Sequence, residues 1–107
     1  MIARIWHGYT TLVNADGYEK LLKQEVFSSI EEKQVKGYLG IQLLKRQLKT
    51  EVEFTTIMLF EKLESVKQFA GENYELAYVP AKAKLLLHRF DEMSIHCEVI
   101  HELYYDI

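Results

Sequence analysis

Two segments of this chain alternate like strands and carry apolar side chains on both faces, and this pattern limits the fold most. In residues 2–10, one face carries Ile2 and Trp6 while the other carries Ile5, because successive side chains of a strand point to opposite faces. Residues 52–60 show the same two-sided pattern. A strand that is apolar on both faces is covered on both sides, so we expect both segments at the centre of a sheet.

The remaining patterns predict helices and strands in a definite order. A helix should follow the first strand, because apolar residues recur at helical spacing at Tyr18, Leu21, Leu22, Val26 and Ile30, with Phe27 off this stripe. The patterns further predict strands over 38–44, 52–60 and 93–102, a helix over 63–70 and a short helix from Pro80 to about Leu87. The order β-α-β-β-α-β is that of the ferredoxin-like α+β fold with an antiparallel sheet. The length predicts one domain over residues 1–107.

Two helices can cover only one face of the predicted sheet, which leaves the other face for a second molecule. We expect the helices on the face that carries Ile5 and His7. The free face should then carry Arg4 and Trp6, together with His96 of the last strand. An exposed apolar face of that size is an association site, so we predict a homodimer that packs sheet to sheet.

Charge and cysteine content argue against several classes of protein. The net charge is −3, and the densest basic patch, at Lys45, Arg46 and Lys49, lies in a predicted turn, so nucleic-acid binding is not expected. The single cysteine, Cys97, forms no disulfide within the chain and fits a reducing cytoplasm. We expect neither a signal peptide nor a membrane span, since no apolar run approaches the roughly 18 residues of a membrane helix.

Several short motifs resemble a known family. They are the run Ile2–Gly8, the run Phe69–Gly71, Tyr78 and Pro80, and His96 with the run Glu98–Ile100. Together they resemble the antibiotic biosynthesis monooxygenase (ABM) superfamily of dimeric α+β barrels, in particular its small bacterial branch. The resemblance covers nearly the whole chain. It implies a ferredoxin-like protomer, a dimer closed sheet to sheet, and, in the members that are enzymes, a pocket between sheet and helices.

Activities within that superfamily vary, and the resemblance leaves them open. Some members oxygenate polycyclic aromatic substrates without metal or flavin, and others bind and degrade haem. The haem-degrading branch has Asn, Trp and His at three positions where this chain has His7, Phe69 and Tyr78. These departures count against haem degradation, although a Tyr or a His can ligate haem iron. We therefore expect no cofactor, with haem as the alternative.

His7 is the candidate catalytic base. A neutral imidazole in an apolar pocket can take a proton from an acidic phenol, and cofactor-free oxygenation requires the resulting substrate anion. The alternative is a structural His7 held by a hydrogen bond. Tyr78 is the second catalytic candidate, because its hydroxyl can orient a substrate oxygen where a lid could begin.

Three apolar residues are assigned to the wall of the substrate pocket: Ile5, Met58 and Phe69. Trp6 and Arg4 allow two interpretations. They can form a pocket wall with Arg4 anchoring an anionic group, or an aromatic dimer contact stacked by arginine, which we favour. No metal site is assigned, because the His and Cys spacing matches no known metal motif.

Three functions remain open at this level. The first is a cofactor-independent monooxygenase of ABM type that acts on a small aromatic or quinol-like molecule. The second is a non-catalytic or stress-related dimer of the same fold that binds a small apolar ligand. The third is a haem-binding protein. Fold alone does not choose among them.

Overall fold

The computed structural model describes residues 1–105. Within them the chain forms β1 (Ile2–Thr11), α1 (Ala15–Leu21), a π-helical turn (Leu22–Val26), α2 (Phe27–Glu32), β2 (Tyr38–Gln47), β3 (Glu51–Phe60), α3 (Leu63–Ala70), α4 (Ala81–Leu86), β4 (Leu87–Phe90) and β5 (Ile95–Glu98). The predicted α+β fold with an antiparallel sheet is confirmed. In this protomer the sheet is open and does not close into a barrel.

The sheet has the strand order β2-β3-β1-β4, and β5 also pairs with β1. All pairings are antiparallel. β4 and β5 form two successive parts of one edge strand, since Phe90 lies opposite Gly8 and Ile95 lies opposite Ile5. β1 and β3 therefore occupy the centre, as their two-sided apolar pattern predicted. This order is the ferredoxin-like one.

The last strand differs from the predicted span of 93–102. It begins at Leu87, breaks after Phe90, resumes at Ile95 and ends at Glu98. The break coincides with hydrogen bonds that tie Asp91 to β1, including its backbone N–H to the His7 carbonyl at 2.9 Å. The short helix after Pro80 ends at Leu86, because β4 begins at the next residue, Leu87.

The first helix is continuous from α1 through the π-helical turn to α2. At the end of this turn the Phe27 N–H donates to the carbonyl of Leu22, five residues earlier. A π-helical turn adds one residue to the helix and rotates everything that follows. Phe27, which lies off the predicted apolar stripe, thereby packs against the core beside Val26.

The core lies on one face of the sheet, between the strands and the helices. One part centres on Tyr18 of α1 and Phe54 of β3, whose rings meet edge to face at 4.9 Å. A second part joins Met58 and Phe60 of β3 to Val66 of α3. Since Phe54, Met58 and Phe60 alternate along β3, they all point to the same face.

This face also carries Arg4 and Trp6, so the expected assignment of the two faces is wrong. Trp6 lies opposite Thr56 and Arg4 opposite Met58 in the register of β1 and β3, and Arg4 is only 4% exposed. Ile5 and His7 point to the other, open face. The sequence pattern did not distinguish the faces, because both sides of β1 are largely apolar.

The open face remains apolar around its centre. Its residues include Ile5, Ile57 and Leu59 in the middle and the more exposed Leu44 and Ile95 toward the edges, the last two being 46% and 56% exposed. An apolar sheet face without a covering layer is typical of an association surface.

Within residues 1–105, no helix is both long and apolar enough to cross a membrane.

Candidate functional site

A cavity of about 110 Å³ lies between the helix-covered face of the sheet and the first helix. The segment from Ala77 to Pro80 and Phe69 of α3 close its far side. Its wall is mainly apolar and aromatic, and includes Trp6, Leu22, Val26, Phe27, Ile30, Met58 and Phe69. The resemblance implied a pocket between sheet and helices, and the first helix supplies more of the lining than any other element. The π-helical turn contributes to this wall, because it brings both Val26 and Phe27 to the cavity.

Trp6 is the only tryptophan of the chain and forms the wall on β1. Its indole N–H donates to the Asp91 carbonyl at 2.7 Å, and its ring lies 6.2 Å from that of Phe90. The indole also folds over Gly8, where a Cβ atom would come within 2.5 Å of Cη2. Glycine at this position is therefore what allows the ring to lie against its own strand.

Arg4 is the buried charge of the site. Its guanidinium donates to the backbone carbonyls of Tyr74 and Leu76, the latter at 3.2 Å, and contacts Nε2 of His96 at 2.9 Å. Burial lowers the pKa of Arg4, but an arginine starts from so high a value that it stays charged. Among residues 1–105, no carboxylate lies within 4.0 Å of this guanidinium.

His96 holds Arg4 in place as a hydrogen-bond acceptor. Because an arginine N–H can only donate, Nε2 of His96 accepts and the imidazole is neutral, with its proton on Nδ1. Burial, with the charge of Arg4 as a further cause, lowers the pKa of His96. The ring of His96 packs edge-on against Tyr74 at 5.1 Å, the residue whose carbonyl accepts from Arg4. The predicted place of His96 at a dimer interface is wrong, because its side chain lies on the helix-covered side with Arg4.

The mouth of the cavity carries a second cation and a phenol. Nζ of Lys33 lies 4.8 Å from the centre of the Phe69 ring and 5.4 Å from that of Tyr78. The Tyr78 side chain is 70% exposed, so its hydroxyl belongs to the entrance. No aspartate or glutamate is found among the lining residues that the structure describes. The charged side chains of the described lining are therefore both cations, and both lie near the Phe69 ring, since the guanidinium carbon of Arg4 is 5.8 Å from its centre.

His7 lies outside this cavity, so its expected position on the helix-covered side is wrong. Its Nδ1 is 2.8 Å from Oδ2 of Asp91, which also accepts from the His7 backbone N–H at 3.1 Å. The ring is partly exposed on the open face. This geometry matches the alternative of a structural, hydrogen-bonded histidine. Asp91 was missed as a partner because it lies 84 positions along the chain, at a strand break without a sequence signal.

The other predicted site residues divide between the two faces. Met58 and Phe69, which were assigned to the substrate wall, and Tyr78, the second catalytic candidate, line the cavity, whereas Ile5 points away from it. Arg4 and Trp6, which were expected on a dimer face, line the cavity instead. Sequence reasoning missed Lys33 and Phe27, since neither lies on the apolar stripe of an ordinary α-helix.

No group of three or more histidine, cysteine, aspartate or glutamate side chains is placed to bind a metal ion in the part of the chain that the structure describes.

Comparisons with known proteins show a shared fold. No protein-family model and no curated protein matches the chain. Two solved structures are similar over 97% of it. One is a candidate antibiotic biosynthesis monooxygenase from Bacillus cereus, with 10% identity, 97% of that chain covered and a TM-score of 0.65. The other is the haem-degrader MhuD from Mycobacterium tuberculosis, solved with two haems bound in its active site, with 17% identity, 100% of that chain covered and a TM-score of 0.61.

At such identities the likeness establishes the fold. It confirms the resemblance to the ABM superfamily at that level, and it extends along nearly the whole chain.

Haem does not fit the cavity as it stands. Haem is at least as large as a drug-sized ligand, and pockets for such ligands enclose roughly 300–1,000 Å³, against about 110 Å³ here. Among the described lining residues, Met58, Tyr18 and Tyr78 are of types that ligate haem iron, and no histidine or cysteine is present. Tyr78 lies at the entrance, and Met58 and Tyr18 are buried side chains of the core.

Proposed function

We propose that this protein binds a small aromatic molecule in the cavity on the helix-covered face and oxygenates it without metal or flavin. The observation that carries the proposal is an apolar cavity with aromatic walls and one buried cation, Arg4. The fold shared with a candidate monooxygenase supports the reaction class. A phenol or quinol-like substrate matches both the aromatic wall and the charge.

The reaction needs only the substrate and O₂ to balance. An ionised hydroxyarene gives an electron to O₂, and a new carbon–oxygen bond forms at a ring carbon. One oxygen atom becomes the second carbonyl of a quinone. The other leaves as hydroxide with the ring hydrogen, and a proton from solvent converts this hydroxide to water. The apolar wall serves this chemistry because it keeps bulk water away from the reactive intermediates.

The chain's own residues take positioning roles in this proposal. Met58 and Phe69 form the wall against which the ring packs, and the hydroxyl of Tyr78 orients a substrate oxygen at the mouth. His7 is no longer the proposed base, because its ring lies on the other side of the sheet. With no carboxylate or imidazole among the described lining residues, the substrate enters already ionised.

Oxygen consumption tests this proposal, with two neighbouring serines as a matched pair. Ser29 lines the cavity and is exposed, whereas Ser28 hydrogen-bonds to the Gln24 carbonyl and is not in the lining. We expect O₂ uptake with at least one member of a panel of hydroxylated naphthalenes and benzenes. Ser29→Trp should abolish the uptake by filling the mouth, and Ser28→Trp and His7→Gln should retain it. Uptake that persists in Ser29→Trp would place the reaction elsewhere.

Ligand binding without catalysis is the second candidate. The specific observation in its favour is the missing proton acceptor in the described part of the cavity wall. It predicts that the same aromatic compounds bind to wild type, and not to Ser29→Trp, with no O₂ consumed. Isothermal titration calorimetry beside the oxygen electrode distinguishes the two candidates.

We further propose that the protein acts as a homodimer in the cytoplasm, closed through the open face of the sheet. The exposed Leu44 and Ile95 flank the apolar centre of this face, and packing against a second copy would bury both. Ile57→Lys places a charge at the centre and should yield monomers in sedimentation velocity at micromolar concentration. A wild type that sediments as a monomer would refute the dimer.

A further inference from the structure

We propose that the ligand of the cavity is an aromatic anion, with a carboxylate or an ionised hydroxyl on a single ring, and that Arg4 is its counter-ion. This inference rests on the proposed function, because it specifies the chemistry of the molecule that the same cavity binds. Four observations carry it: the burial of Arg4, its unused donors, the sign of the charge along the cavity, and the size of the cavity.

The burial of Arg4 is unusual for a cation without a carboxylate. The residue is 4% exposed, and buried charges are normally paired because the loss of hydration is costly. Carbonyls of Tyr74 and Leu76 and the neutral imidazole of His96 offer dipoles but no negative charge. A ligand anion would supply the missing charge.

The guanidinium has N–H groups that are available to donate hydrogen bonds to such a ligand. It has five N–H groups, and its bonds to Tyr74, His96 and Leu76 use three of them within the described chain. Those three bonds fix the plane of the group, and Arg4 lines the cavity. Two remaining donors on a fixed plane suit a carboxylate, which arginine binds through paired hydrogen bonds, or a single phenolate oxygen.

The charges along the cavity all have one sign. Arg4 lies within it and Lys33 at its mouth, and the described lining contains no acidic side chain. In an apolar surrounding of low dielectric constant, such charges attract an anion far more strongly than they do in water. An anionic ligand is therefore favoured on entry as well as in the bound state.

The volume and the lining of the cavity limit the size of the ligand and favour an aromatic ring. About 110 Å³ approaches the roughly 150 Å³ of an apolar protein cavity that binds benzene. Trp6 and Phe69 provide aromatic faces for one ring. Fused polycyclic molecules would extend beyond this space toward the mouth at Tyr78.

Paired probes test the charge of the ligand directly. Calorimetry would compare benzoate with benzamide, its neutral counterpart of the same shape, and 4-cyanophenol with benzonitrile at a pH where the phenol is ionised. In wild type we expect at least one anion to bind tenfold or more tightly than its neutral counterpart. The pair that shows this preference distinguishes a carboxylate from a phenolate.

Substitutions then assign the preference to Arg4. Arg4→Met removes the charge and keeps an apolar side chain of similar length, and it should lose most of the preference for the anion, leaving only the contribution of Lys33. Arg46→Met makes the same change in net charge on an exposed part of β2, where Arg46 pairs with Glu53, and it should keep the wild-type preference. Arg4→Lys retains the charge without the planar fork, and should keep part of the preference if Arg4→Met does not fold.

The outcomes separate this inference from the proposed function. Equal affinity of wild type for anion and neutral counterpart would overturn the inference while the cavity remains a binding site. A preference that is undiminished in Arg4→Met would overturn it too. Failure of every probe to bind wild type would refute the proposed function and the inference together.

Discussion

Replacing Gly8 with alanine is expected to displace the Trp6 indole from the wall of the cavity. An added Cβ would lie 2.5 Å from Cη2 and 2.9 Å from Cζ3 of the ring. The ring cannot yield by rotating a flexible end, because it is planar and its N–H is bonded to the Asp91 carbonyl at 2.7 Å. It must move to at least 3.4 Å, and the hydrogen bond to Asp91 lengthens or breaks as it does so.

The cost of Gly8→Ala can be estimated from these contacts. Overpacking of a well-packed site costs about 1–3 kcal/mol, and loss of the indole hydrogen bond adds about 0.5–1.5 kcal/mol. In the opposite direction, alanine lowers the conformational entropy of the unfolded chain, which raises the free energy of unfolding by about 0.4–1 kcal/mol. We therefore expect the free energy of unfolding to fall by about 0.5–4 kcal/mol, out of the roughly 5–15 kcal/mol of a typical domain.

Gly17→Ala is the matched control. Gly17 lies inside α1, and a Cβ there would meet only a Leu86 methyl at 4.0 Å. Alanine should stabilise this helix by about 0.5–1 kcal/mol. Urea unfolding followed by circular dichroism measures both variants, and fluorescence of Trp6, the only tryptophan, should change in Gly8→Ala alone. A Gly8→Ala protein with wild-type stability and emission would refute the packing described for Trp6.

Two further predictions concern pH. Burial, then the charge of Arg4, lowers the pKa of His96 in the folded state, so the free energy of unfolding should fall as the pH drops below the ordinary histidine value of 6.5. His96→Gln, which keeps an acceptor for Arg4, should reduce this fall between pH 7 and pH 5, as measured by urea unfolding. An equal fall in wild type and His96→Gln would contradict the lowered pKa of His96. Hydrogen bonds from Lys23 and Lys45 lower the pKa of Glu19 to about 2, so this carboxylate stabilises the fold above its ordinary value of 4.5 and loses that effect as the pH falls toward 2. In Glu19→Gln the free energy of unfolding should decrease less steeply as the pH falls, and the change should be modest because these ion pairs lie at the surface. An unchanged pH dependence would count against the two hydrogen bonds.

The arrangement of strands was largely predictable because it depends on local patterns. The two-sided apolar pattern of residues 2–10 and 52–60 required central positions, and both strands have them. The end of the chain was less predictable. The break between β4 and β5 coincides with contacts between Asp91 and β1, which are more than eighty residues apart in the sequence. Contacts between such distant residues cannot be predicted from a local sequence pattern.

The candidate site was predictable only in part, for two physical reasons. Alternation along β1 separated Arg4 and Trp6 from His7, but it could not show which side the helices would cover, since both sides are apolar. The single residue added by the π-helical turn then rotated Phe27 toward the cavity. Met58, Phe69 and Tyr78 line the cavity, although Ile5 and His7, which were expected beside them, lie on the other face of the sheet.

The central claim is that a small aromatic ligand binds on the helix-covered side of the sheet, away from His7. Nuclear magnetic resonance of isotope-labelled protein, titrated with phenol and with benzoate, tests this most directly. Binding in the cavity should shift the resonances of the Met58 methyl and of the Trp6 indole N–H, while those of the Ile5 methyls and the His7 ring on the open face stay unchanged. Shifts confined to Ile5 and His7, or no shift at any of the four, would contradict it.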